Sequence, residues 1–160
     1  MKRVYLLRHG KTESESESGK DFDRRLTSEG KQDVYAVADK LVDTEERLDL
    51  LLTSSAARAA SSAAIMAEKL LPNAETVERE DLYEAEKENL LSILQSLDST
   101  AETAMIVGHN PTIEDTMEAF LDKHRKIGAG NIAWFEFEGD SWNELTFETP
   151  IQRSGLIVPV

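Results

Sequence analysis

The chain has no cysteine. Disulfides, thiolate metal sites and a cysteine nucleophile are therefore excluded, and the absence fits a reducing, cytoplasmic setting. Positive charge is scarce too: 18 lysines and arginines face 31 aspartates and glutamates, for a net charge of −13. Nucleic acid and membrane surfaces are poor partners for such a chain, because both select basic proteins. Long hydrophobic runs are missing, and nothing approaches the roughly 20 apolar residues that cross a bilayer. The start, Met1-Lys2-Arg3-Val4-Tyr5-Leu6-Leu7, is basic and then apolar, but Arg8-His9 ends it too early for a secretory signal. Three histidines and no cysteine give little basis for a metal site. No glycine-rich nucleotide loop of P-loop or Rossmann type is present. Neither a metal nor a cofactor is expected.

What remains is a chain of 160 residues, 40% hydrophobic and 31% charged, which suits one soluble globular domain over residues 1–160. Residues 2–7 read as a buried strand. Residues 11–26 are polar and include Glu13-Ser14-Glu15-Ser16-Glu17-Ser18-Gly19, read as a flexible, solvated loop. A sharper reading makes that run a gate that repels small polyanions and tolerates a phosphoryl group presented on a protein. Thr27 suits a helix cap, and Val34, Val37, Ala38, Leu41 and Val42 form an apolar stripe behind it. Leu48–Thr53 reads as a second strand. Ser55–Leu71 reads as an alanine-rich helix stopped by Pro72-Asn73, with a short strand at Thr76–Val77. Leu90, Ile93, Leu94 and Leu97 mark a third helix, and Thr103–Val107 another strand. Asn110 and Pro111 suit the cap and first position of a fourth helix, with Ile113, Met117, Phe120 and Leu121 on its buried face. Ala133, Phe135 and Phe137 alternate, Gly139-Asp140-Ser141 turns, and Leu145 and Phe147 alternate again, which predicts a β-hairpin. Strands alternating with helices indicate an α/β three-layer sandwich: a largely parallel central sheet flanked by helices, with the C-terminal β-hairpin at the sheet edge.

Ligands in open α/β sheets bind beyond the carboxyl ends of the strands. Three stretches follow predicted strands: Leu7-Arg8-His9-Gly10, Ser54-Ser55-Ala56-Ala57-Arg58-Ala59 and Gly108-His109-Asn110. The topology brings them to one rim. Two arginines there would grip phosphate oxygens bidentately, so Arg8 and Arg58 are the predicted clamps. An imidazole with one unprotonated nitrogen can attack phosphorus while the other nitrogen fixes the tautomer. His9 directly follows the strand, and Gly10 lets the next turn pass closely, so His9 is assigned as nucleophile. His109 then donates to the phosphoryl oxygens, as a cation, beside free amides at the start of its helix. Spacing alone does not separate the two histidine roles.

This arrangement resembles the histidine phosphatase superfamily, which includes the phosphoglycerate mutases and acid phosphatases. Arg8-His9-Gly10 is similar to its Arg-His-Gly signature, the Arg58 segment to its second arginine and Gly108-His109-Asn110 to its second histidine. The resemblance implies a phosphoglycerate mutase-like fold, a transient phosphohistidine on His9, and Arg8, Arg58 and His109 as the phosphate-binding pocket. Small size, Asp23-Arg24-Arg25-Leu26-Thr27-Ser28-Glu29-Gly30 and Leu82-Tyr83-Glu84-Ala85 resemble the short phosphohistidine phosphatases of the SixA type. Arg25 departs from a common proline, and Lys11 from the residues frequent after the glycine. The implied activity is a metal-independent phosphatase acting on a phosphorylated protein, such as a histidine-phosphorelay protein, or on a small phosphorylated substrate. The alternatives are a phosphomonoesterase of the same superfamily and a non-catalytic phosphoryl-binding module. Glu84 is the candidate general acid, because larger relatives carry a glutamate in a comparable segment. His124 reads as a solvated surface residue; Arg24 and Arg25 could extend the pocket, but read more readily as solvated loop residues.

Overall fold

The structure is a computed structural model and describes residues 1–71 and 76–160. Its strands are β1 (Lys2–Arg8), β2 (Leu50–Ser54), β3 (Val77–Arg79), β4 (Thr103–Gly108), β5 (Ile132–Phe137) and β6 (Arg153–Ile157). Its helices are α1 (Ser28–Asp43), α2 (Ala57–Leu70), α3 (Lys87–Gln95) and α4 (Thr112–Leu121). Short 3-10 turns occupy Asp21–Asp23, Glu80–Leu82 and Trp142–Glu144. The strands form one sheet in the order β3-β2-β4-β1-β5-β6. The first four strands in the chain run parallel, β5 is antiparallel to β1, and β6 is antiparallel to β5.

Alternation along β1 divides the core in two, because successive side chains of a strand point to opposite faces. Val4 and Leu6 pack with Leu90, Ile93 and Leu94 of α3 and Ile113, Met117 and Phe120 of α4. Tyr5 and Leu7 pack with Val34, Val37 and Leu41 of α1 and Ala59, Ala63 and Met66 of α2. The result is the expected three-layer sandwich. Thr27 caps α1 as its sequence suggests, its side chain accepting from the Gly30 amide at 2.9 Å.

Three details differ from the sequence expectations. The second arm of the predicted hairpin is not Leu145 and Phe147. Trp142 and Leu145 are buried instead, with the Trp142 indole donating to the Ala101 carbonyl at 2.9 Å. Apolar alternation there marks a connection folded into the core, and the strand that pairs with β5 comes later, at Arg153–Ile157. Gly155 faces Trp134 across that pair, where a Cβ would stand 2.6 Å from the indole. Second, α4 begins one residue later than expected. Pro111 takes the cap position, and Asn110 Oδ1 reaches forward to the Glu114 amide at 3.3 Å. Third, the short strand predicted at Thr76–Val77 runs from Val77 to Arg79. The Pro72-Asn73 stop lies outside the described residues.

Candidate active site

Adjacent parallel strands β2, β4 and β1 end side by side, with Arg8 opposite Gly108 and Thr53 opposite Val107. Their carboxyl ends therefore deliver Arg8-His9, Ser54 and Gly108-His109 to one rim. The chain leaving β1 is pressed against the start of α1. A Cβ on Gly10 would stand 2.6 Å from the Gly30 carbonyl oxygen, and one on Gly30 would stand 2.2 Å from the Lys11 carbonyl oxygen. Two bare backbones are needed here for His9 to keep its place.

The hydrogen-bond partners of His9 set its tautomer. Nδ1 lies 2.8 Å from the Gly10 carbonyl, which only accepts, so Nδ1 carries the proton. Arg58 Nε donates to His9 Nε2 at 3.2 Å, so Nε2 carries the lone pair. Burial, and then the charges of Arg58, Arg8 and Arg24, push the His9 pKa down to about 4. A neutral imidazole with its free electron pair on Nε2 is what a nucleophile requires.

The same proton accounting applies to His109, which is buried. Its Nε2 lies 2.8 Å from Ser54 Oγ. That oxygen already accepts from the Ala56 amide at 3.2 Å. Among the described residues the Ser54 hydroxyl has no other acceptor for its own proton, so it donates to Nε2, and the proton of His109 sits on Nδ1. Burial, followed by the nearness of His9 and Arg58, lowers the His109 pKa to about 3. In the free site His109 is thus neutral, with its donor on Nδ1; the cationic role expected from the sequence concerns the site with a phosphoryl group bound. The two imidazole rings stand 5.1 Å apart.

Arg58, 7% exposed, also donates to Asp21, to its backbone carbonyl at 2.7 Å and to Oδ2 at 2.9 Å. Tyr83 donates to the same carboxylate at 2.6 Å, and Arg24 reaches its other oxygen at 2.8 Å. The Tyr83 bond first, then Arg58 and Arg24, hold the Asp21 pKa down to about 2. Arg8 donates to the Ile127 carbonyl at 3.1 Å, while its Nε is buried and has no partner among the described residues. His109 Nδ1 is likewise buried and unpaired.

Two clefts meet at Arg58. One, of about 550 Å³, is lined by Arg8, His9, Arg24 and Arg58. The other, of about 510 Å³, is lined by Arg58, Tyr83, Glu84 and His109. The structure thus gathers Arg8, His9, Arg58 and His109, and places exposed Glu84 on the wall beyond His109. Of the amides at the start of α4, Ile113 N donates to the His109 carbonyl, Glu114 N to Asn110 Oδ1 and Asp115 N to the Pro111 carbonyl. Arg24, read from sequence as solvated, is half-buried and belongs to the site, whereas Arg25 is exposed. His124 is exposed near Glu118, as expected. The Glu-Ser run folds on itself through Ser16, Ser18, Lys20 and Asp23, and its carboxylates line a separate cleft. Sequence reasoning missed the roles of Asp21, Tyr83 and Ser54. Ser54 lay inside a quoted stretch, and its place at a strand end was the available signal. For Asp21, in a polar loop, sequence offered none.

The family model of the histidine phosphatase superfamily (branch 1) matches residues 4–90. A protein from Agrobacterium tumefaciens, assigned as the phosphohistidine phosphatase SixA, is 30% identical over 85% of this chain and 92% of its own, with a TM-score of 0.78. A SixA-assigned structure from Nakamurella multipartitia shares the fold at 24% identity and a TM-score of 0.81, covering 96% of this chain and 95% of its own. The protein histidine phosphatase SixA complexed with tungstate superimposes with a TM-score of 0.83 at 16% identity, over 98% of this chain and 97% of that one. No curated protein matches the sequence. The chain belongs to the histidine phosphatase superfamily, and its fold is that of the SixA structures.

Proposed function

We propose that this chain is a metal-independent phosphatase of the SixA type, which hydrolyses phosphohistidine through a phosphorylated His9. The observation that carries the reading is the pair of buried donors without partners, Arg8 Nε and His109 Nδ1, on residues packed about an unprotonated His9 Nε2. Leaving a buried donor unpaired costs about 1–3 kcal/mol, and a phosphoryl group seated between them would satisfy both. The tungstate complex of a SixA relative supports the same choice of ligand, a tetrahedral oxyanion.

In the first step Arg58 turns its N–H groups from His9 and Asp21 to the phosphoryl oxygens, alongside Arg8 and His109. His9 Nε2 forms a bond to phosphorus, and the bond from phosphorus to the carrier's nitrogen breaks. Its electron pair stays on that nitrogen, which takes a proton from solvent. In the second step water attacks phosphorus, its proton passes to solvent, and the pair of the N–P bond returns to Nε2. The net change is one water consumed and one phosphate released. The His109 donor and two guanidinium groups stabilise the charge that spreads over the equatorial oxygens.

Ester substrates need a proton donor for the departing alkoxide. Glu84 lines the cleft with His109 and is the candidate for that role. A panel of phosphohistidine peptide, phosphoserine and sugar phosphates, run on wild type and Glu84→Gln, tests the whole reading. Phosphohistidine should be the best substrate and should survive the substitution, with any loss confined to esters. Preference for an ester in wild type would favour the phosphomonoesterase reading instead. No turnover of any substrate would leave a phosphoryl-binding module, against which the complete set of Arg8, His9, Arg58 and His109 argues.

A further inference from the structure

We propose that the cleft beyond His109 selects for phosphoryl groups carried on a basic polypeptide segment. The inference rests on the phosphatase reading above and names the carrier that the site admits. The wall of this cleft is built from the chain that follows the turn at Glu80–Leu82, from the first turn of α3 and from the first turn of α4. Its charged lining is Glu84, Glu86, Glu88, Asp115 and Asp21, against Lys87 and Arg58. Lys87 stands 3.7 Å from Glu88. Arg58 is committed to the floor, where it holds Asp21 and faces His9. Among the described residues, Glu84, Glu86 and Asp115 form no ion pair.

The consequence is an asymmetric site. Its floor offers arginines and imidazoles to one dianion, and its wall then has no free cation for a second. A carrier bearing another phosphate or a carboxylate would meet Glu84, Glu86 and Asp115 at short range, where like charges repel. An ammonium or guanidinium on the carrier would be drawn to the same groups. Glu88 and Asp115 also complement the positive ends of α3 and α4, but Glu84 precedes α3 and has no such task. His109 supplies the second observation that the cleft is made for a ligand: it lines this cleft, is 8% exposed, and its Nδ1 has no partner. The sequence invited a charge filter on Glu13, Glu15 and Glu17. Those residues line a separate cleft, whereas the residues proposed here share one with His109.

The test uses three phosphohistidine peptides of equal length, the phosphorylated residue flanked by lysines, glutamines or glutamates. For the full chain at low ionic strength, kcat/KM should fall in that order, by roughly tenfold or more between the ends. Added salt should compress the difference, since exposed charges are screened within about 10 Å at 0.1 M. The triple variant Glu86→Gln, Glu88→Gln, Asp115→Asn should flatten it while its circular dichroism stays that of wild type. Equal kcat/KM for the three peptides in wild type, or a preference indifferent to salt, would overturn the proposal without touching the phosphatase reading. If wild type hydrolyses none of the peptides, the phosphohistidine reading fails. The charge preference is then read from their inhibition of aryl phosphate hydrolysis, where equal inhibition by all three would overturn the proposal.

Discussion

Arg58 Nε donates to His9 Nε2 across 3.2 Å, so the predicted phosphate clamp also covers the lone pair of the predicted nucleophile. The unliganded site is thereby held in a closed bonding pattern. A substrate opens it by offering Arg58 better acceptors than an imidazole nitrogen.

That contact and burial keep both site imidazoles neutral at ordinary pH. The His9 pKa lies near 4 and that of His109 near 3, against about 6.5 for an exposed imidazole. We expect their ring proton resonances, assigned with single substitutions, to stay constant from pH 8 to pH 5.5. Midpoints near 6.5 for both would contradict the electrostatics. The same shifts bear on stability. The unfolded chain takes up protons on these residues below about pH 6.5, while the folded chain does so only near pH 4, so stability must fall as pH drops through that window. Thermal unfolding of His109→Gln should show a shallower fall over that range than wild type.

Asp21 occupies donors of Arg58 in the free protein, and a phosphoryl oxygen would have to compete with it for them. An ion pair with one partner this exposed is worth up to about 1 kcal/mol, a factor of roughly five in affinity. Asp21→Asn should therefore tighten inhibition by inorganic phosphate about fivefold. Weaker inhibition would mean that Asp21 instead holds Arg58 in its binding posture.

Ser54 is fully buried and decides which nitrogen of His109 carries the proton. Ser54→Ala removes that instruction and leaves the Ala56 amide unpaired, at a cost of about 1 kcal/mol or somewhat more in stability. The expected effect on kcat is a fall of roughly ten- to a hundredfold, short of deleting a whole donor. An unchanged kcat in a folded variant would remove the positioning role.

Gly30 tests the packing beneath the nucleophile. Alanine at a helical position ordinarily gains about 1 kcal/mol over glycine. Here its Cβ would stand 2.2 Å from the backbone oxygen of Lys11, which cannot swing aside like a side chain. The clash should win, so urea unfolding of Gly30→Ala should show a net loss of about 1–3 kcal/mol. A gain would mean that the loop after His9 yields easily.

Much of this was legible before the structure. Arg8, His9 and His109 follow apolar runs short enough to be buried strands, and parallel topology carries such positions to one edge. Arg58 follows because α2 starts three residues after β2 ends. Where side chains from irregular segments settle was not legible. Asp21 sits in a polar loop without periodicity, yet it meets Arg58, Arg24 and Tyr83 because distant parts of the chain fold over the same rim. The charge state of His109 depends on burial, His9 and Arg58, and its tautomer on Ser54, 55 positions away in the chain. The second arm of the edge hairpin was misplaced for a related reason. Leu145 and Phe147 alternate as strand residues would, but nothing local distinguishes an apolar alternation that pairs from one that only fills a core.

The decisive measurement is covalent trapping. Wild-type protein mixed briefly with a phosphorylated substrate and quenched in alkali should carry an acid-labile phosphate that peptide mapping places on His9, and His9→Ala should carry none and release no phosphate. Phosphate found on another residue, or turnover retained by His9→Ala, would contradict the assignment of His9 as the attacking group.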